Sequence, residues 1–172
     1  MSDDYSLALR RKRDHLPIPS AQDFYIAPIG DAASAWKVFG GLTLEQAYER
    51  FLECPEYCQE HFMWMFPKAF EYYYPTIDQY LREVSNHETN RAYDGYDGCH
   101  AEILGCDIES QFHWKDGTKP PPYVVDEIAE LSAFVKANLS RYSDCPVEQE
   151  RIRESFLKVD AAVTEFRAAL PN

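Results

Sequence analysis

A mainly α-helical single domain is the fold class this sequence predicts: a multi-helix bundle with an aromatic core, an extended N-terminal arm and a C-terminal helical hairpin. Three observations carry that expectation. Apolar residues recur at steps of three and four along several segments, which is the helical period rather than the alternation of a strand. Tyr and Phe are plentiful, at 12 and 10, against only 7 Gly, a balance that suits packed helices better than a turn-rich all-β fold. Finally, 172 residues suffice for one domain that buries roughly 70% of its unfolded surface without staples.

Residues 1–30 read as the arm, a short helix over Asp4–Arg13 followed by an extended stretch punctuated by Pro17, Pro19 and Pro28. The run Arg10-Arg11-Lys12-Arg13 is read as the cationic end of that helix, facing its negative dipole. The remainder, 31–172, is read as one α-helical domain. Trp36, Val38 and Phe39 precede Gly40-Gly41, a glycine stop. Thr43-Leu44-Glu45-Gln46 has the spacing of a capping box and opens a helix whose buried face is Leu44, Ala47, Tyr48, Phe51 and Leu52. Pro55 ends it, and Glu56 to Met65 leads on as a further short helix.

The organising stretch runs from His61 to Val84. Phe66, Phe70, Tyr73, Ile77, Tyr80 or Leu81, and Val84 form its apolar stripe, and Pro67 suits a first helical position. Pro75 lies inside the pattern and predicts a kink, or two helices meeting, near Tyr74, because it removes a donor and crowds the carbonyl of Glu71. Lys68, Tyr72, Thr76, Gln79 and Glu83 make the polar face, which singles out Tyr72 as a candidate exposed anchor. Trp64, Ala69-Phe70, Tyr72-Tyr73 and Pro75 resemble a segment, W-x(5)-F-x-Y-Y-x-P, of small uncharacterised bacterial cytosolic helical proteins. That resemblance implies a small helical bacterial protein and assigns no chemistry.

Residues 85–98 are polar and glycine-punctuated, hence a loop. Apolar spacing resumes from Cys99 through Ile103, Leu104, Ile108 and Phe112, a helix weakened by Gly105. Lys115 to Pro122 is a turn-rich connection. Two long stripes follow, Val124, Ile128, Leu131, Val135 and Leu139, then Ile152, Phe156, Val159, Val163, Phe166 and Leu170. Joined by Ser140–Cys145, they read as an antiparallel hairpin clamping the aromatic centre.

The formal net charge is −12 with a pI near 4.8, which disfavours nucleic acid and anionic lipid and favours a cationic partner. Five cysteines without a regular framework point to a reducing compartment, and the N-terminus lacks the apolar run of a secretory signal, so a cytoplasmic location is expected. No stretch is long enough to span a membrane.

Chemistry-bearing motifs are sparse. Around Asp94 to Gly98 neither calcium-loop frame places ligands correctly. Cys99, Cys106 and His113 fall seven apart, as Cys54, Cys58 and His61 recur near helical spacing, but neither set makes three ligands converge on zinc. His61 and His113 are nominal bases for Cys/His chemistry. No catalytic residue, metal or cofactor is therefore assigned. The candidate partner-binding residues form two acidic clusters with neighbouring aromatics: Glu45, Glu49, Glu53 and Glu56 with Tyr72, and Asp94, Tyr96, Asp97, Glu102, Asp107 and Trp114. The expected function is an acidic protein that neutralises a cationic protein partner, an immunity protein blocking a bacterial toxin enzyme. The alternatives are a small hydrolase with a His/Cys/carboxylate cleft and a helical scaffold subunit.

Overall fold

Helix α5 (Pro67–Glu83) is packed by three of the other helices. The structure, a computed structural model, describes residues 2–25, 29–84 and 100–170. In chain order the remaining helices are α1 (Ser2–Arg11), α2 (Gly30–Phe39), α3 (Leu44–Glu53), α4 (Pro55–Gln59), α6 (Ala101–Ser110), α7 (Pro122–Ala137) and α8 (Pro146–Ala169). Short 3₁₀ turns occupy Ala21–Asp23, Phe62–Trp64 and Leu139–Arg141. The fold is a mainly α-helical bundle, with no strand among the described residues.

The apolar stripe of α5 enters the core as the periodicity predicts, with Phe70, Tyr73, Ile77, Tyr80 and Leu81 all buried. So does part of the face read as polar, though Lys68 is exposed and Gln79 and Glu83 are half-buried. Tyr72, the expected outward anchor, is only 7% exposed, and Thr76 and Asp78 are buried as well. The reason is that α1, α3 and α7 each pack on α5, so the helix is enclosed from several sides and has no broad solvent face. Tyr72 instead meets Tyr73 edge to face, their ring centroids 4.9 Å apart.

Pro75 does not divide α5, which runs unbroken over 17 residues. The carbonyl that a proline four residues later cannot serve, that of Glu71, accepts a hydrogen bond from Arg13 Nε at 3.1 Å. Arg13 brings the N-terminal segment with it. The helix expected there is α1, which lies along α5, and Leu9, Arg13 and Phe24 are buried.

Arg13 is 1% exposed and forms a two-pronged ion pair with Glu127 of α7, Nη1 to Oε1 at 2.9 Å and Nη2 to Oε2 at 2.6 Å. Its guanidinium also lies over the rings of Tyr123 and Tyr74. The basic run thus serves internal recognition: Arg10 bonds Gln79, and Lys12 joins Glu127 at 3.1 Å.

The capping box of α3 forms as expected, with Gln46 N–H donating to Thr43 Oγ1 at 3.3 Å and Thr43 N–H to Gln46 Oε1 at 3.0 Å. Leu44, Ala47 and Phe51 are its buried residues, whereas Leu52 is exposed. Beyond Pro55 the expected single helix divides into α4 and the Phe62–Trp64 turn.

The C-terminal hairpin is present, α7 packing on α8. Ser132 Oγ donates to Asp160 Oδ1 at 2.6 Å, and Lys136 pairs with the same carboxylate. The connection between them also caps α5: Arg141 donates to the carbonyls of Arg82 and Val84, and Tyr142 to that of Leu81 at 2.6 Å. Helix α6 packs closely on α8 at Gly105, where a Cβ would stand 2.3 Å from Ser155 Oγ. Gly105 is therefore a contact point rather than a weakness. No described helix is long and apolar enough to cross a membrane.

Candidate protein-binding surface

The first acidic cluster is a solvent-facing ridge on α3 and α4. Burial of Leu44, Ala47 and Phe51 turns the opposite side of α3 outward, and Glu45, Glu49 and Glu53 are all exposed there at intervals of four. Glu56 on α4 and Glu60 just after it continue the exposed series. Of these, Glu53 has an internal counter-charge, with Arg50 Nη1 at 2.9 Å.

Aromatic and apolar groups accompany the ridge, though not the residue expected. Tyr57 is 60% exposed, Leu52 49% and Trp64 39%. Tyr57 lies between Glu56 and Glu60 in sequence and, past the break at Cys54 that separates α3 from α4, lines one groove with Glu53, so carboxylates border it. Its edge-to-face contact with His61, at 5.0 Å, holds the ring in place. A groove of about 170 Å³ beside it is lined by Lys37, Val38, Arg50, Glu53, Cys54, Tyr57 and Cys58. An aromatic face flanked by carboxylates suits an arginine or lysine side chain. The sequence signal for Tyr57 was available: on the wheel of α4 it lies away from the buried Cys58 and Gln59.

The second cluster is not one surface. Asp94, Tyr96 and Asp97 lie outside the described residues. Glu102 is half-buried. Asp107 is wholly buried, with neither carboxylate oxygen hydrogen-bonded, and so presents nothing to a partner. It shares a face of α6 with Gln111, one turn on, which reaches the carbonyls of Phe62 and Met65. Trp114 is half-buried, its indole N–H on Gln111 Oε1 at 3.0 Å and its ring edge-on to Phe66.

Burial pushes the Cys58 thiol up to about 12, with Cys54 adding to the effect, so it stays protonated. Burial lowers the pKa of His61 against the opposing pull of Glu60 and Asp31, and its Nε2 is buried without a partner. His113 Nε2 lies 2.6 Å from Glu109. Among the described residues no three His, Cys, Asp or Glu side chains are grouped to hold a metal ion.

A wider concavity of about 430 Å³ lies between the end of α8 and the turn after α6, lined by Phe112, His113, Lys119, Phe166 and neighbouring residues. Lys119 Nζ is engaged by the Phe112 carbonyl. No family model, curated protein or solved structure matches the chain.

Proposed function

We propose that this chain is an acidic binding protein that occludes a cationic protein partner, in the manner of an immunity protein blocking a bacterial toxin enzyme in the cytoplasm. The observation that carries the reading is the exposed ridge Glu45, Glu49, Glu53, Glu56 and Glu60, with Tyr57 set among its last three members. Like charges at four-residue spacing disfavour their own helix by about 0.2–0.5 kcal/mol per pair, a cost to α3 that Glu45 in its first turn and the Arg50–Glu53 pair offset in part. Carboxylates of this kind steer association and set specificity, while an exposed tyrosine contributes contact area at small entropic cost. A net charge of −12 extends the same attraction over the whole molecule. Nucleic acid and anionic membranes are repelled by it.

The test is binding to, and protection from the toxicity of, any basic protein that the neighbouring gene proves to encode, with the triple reversal Glu45→Lys, Glu49→Lys, Glu53→Lys and, separately, Asp94→Lys with Asp97→Lys. Loss of binding with an intact helical spectrum supports the reading. Unchanged binding by both variants removes it.

A further inference from the structure

Asp107 is the anomaly of the α6 contact. Its side chain is 0% exposed, and Oδ1 and Oδ2 both lack a hydrogen-bond partner, although buried carboxylates are ordinarily paired or bonded. The position is central to how α6 is seated. At its start the backbone N–H of His100 donates to Gln59 Oε1 at 2.8 Å. At its end Gln111 Nε2 donates to the carbonyls of Phe62 at 3.1 Å and Met65 at 3.3 Å. Asp107 stands between these two ties, on the face that Gln111 also uses.

Among the described residues, the charges around it offer no compensation. From the connection after α4, Glu60 acts on Asp107 with the same sign. His61, in that connection, is held towards its neutral form by burial. From α8, the side chains against α6 at Gly105 are Ser155 and Phe156, which are uncharged. On α6 itself, Glu102 is also acidic, and Glu109 is engaged with His113.

We propose that Asp107 makes the seating of α6 proton-dependent: as a neutral acid it lets the helix close on the 59–65 segment, and as a carboxylate it draws water into the contact and lifts the helix. Burial, with Glu60 adding to it, holds the Asp107 carboxyl well above its ordinary range. The closed form therefore keeps a proton that the open form releases. Seating is strongest below the ordinary carboxylate pKa and weakens as pH rises through the higher value of the closed form. Within that window one proton changes the opening constant by up to about tenfold per pH unit.

Native-state hydrogen exchange of the full chain tests this, with rates corrected for intrinsic base catalysis and followed upward from about pH 4, the ordinary carboxylate value. The expected result is that protection of α6 falls with pH relative to α7 and α8. Asp107→Asn should abolish the relative fall, and Glu60→Gln, by removing the neighbouring charge, should make it level off at a lower pH. Parallel profiles for wild type and Asp107→Asn overturn the proposal. If Asp107→Asn does not fold, Glu60→Gln decides at an exposed position, and an unshifted profile overturns it equally.

Discussion

Arg13 donates to the one carbonyl of α5 that Pro75, lacking an N–H, cannot serve: Nε lies 3.1 Å from the oxygen of Glu71. A helix break is thereby turned into an attachment point for the N-terminal segment, and the same guanidinium pairs with Glu127. Removing Arg13 leaves the buried Glu127 carboxylate with only Lys12, itself mostly exposed, as counter-charge. Arg13→Met should therefore destabilise by about 3–5 kcal/mol, whereas Arg13→Met with Glu127→Leu should recover much of the loss. Pro75→Ala restores a donor beneath Glu71, so its effect should depend on Arg13. Urea denaturation of the four combinations of Arg13→Met and Pro75→Ala is expected to give a coupling of about 1 kcal/mol, and strict additivity would refute the shared carbonyl.

Asp78 predicts a pH dependence of global stability. Burial raises its pKa from 3.8 to about 6, with Glu127 contributing, against the lowering pull of Arg82 and Tyr74. The folded state thus binds the proton more tightly than the unfolded chain. The associated stability is complete below about pH 4 and is lost as pH rises to about 6, for a total of about 3 kcal/mol. Asp78→Asn should flatten that part of the curve, read from urea midpoints across the interval.

Gly105→Ala reports the α6–α8 contact by the sign of its effect. In an exposed helix the change would stabilise by up to about 1 kcal/mol. Here the added Cβ would meet Ser155 Oγ at 2.3 Å and the Phe156 ring at 3.0 Å, so a loss of about 1–3 kcal/mol is expected. Ser155 is itself held by the Glu102 carbonyl at 2.8 Å. Adding Ser155→Gly to Gly105→Ala should relieve part of the loss in thermal unfolding.

Tyr57, rather than Tyr72, should act as the exposed aromatic anchor. Tyr57→Ala removes a mostly exposed ring, so its melting temperature should stay near wild type while affinity for the proposed cationic partner falls, by about 2 kcal/mol for a central anchor. Tyr72→Ala opens a cavity beside Tyr73 and should destabilise by about 3–5 kcal/mol. Calorimetric binding together with thermal melts separates the two.

Much of the architecture was legible because it rests on local rules. The Thr43 capping box, the stripes of α7 and α8, and the inward face of α5 follow from hydrogen-bond spacing and a period of 3.6 residues, which neighbours do not alter. Glu45, Glu49, Glu53 and Glu56 were likewise placed outward once Leu44, Ala47 and Phe51 were recognised as inward. Tyr72 and Asp107 were misread for a common reason. A wheel shows which side of a helix is more polar, but not whether another helix lies against that side.

By itself, then, the sequence determined the class of fold, most of the helices and the acidic ridge of α3 and α4, since each depends on residues within one or two turns of one another. Only the tertiary structure decided that the basic run folds inward to Glu127 and Glu71, that α5 is enclosed, and that Asp107 is sealed beneath α6. Those outcomes depend on pairs such as Arg13 and Glu127, 114 residues apart, whose meeting is set by how whole helices pack rather than by any local pattern.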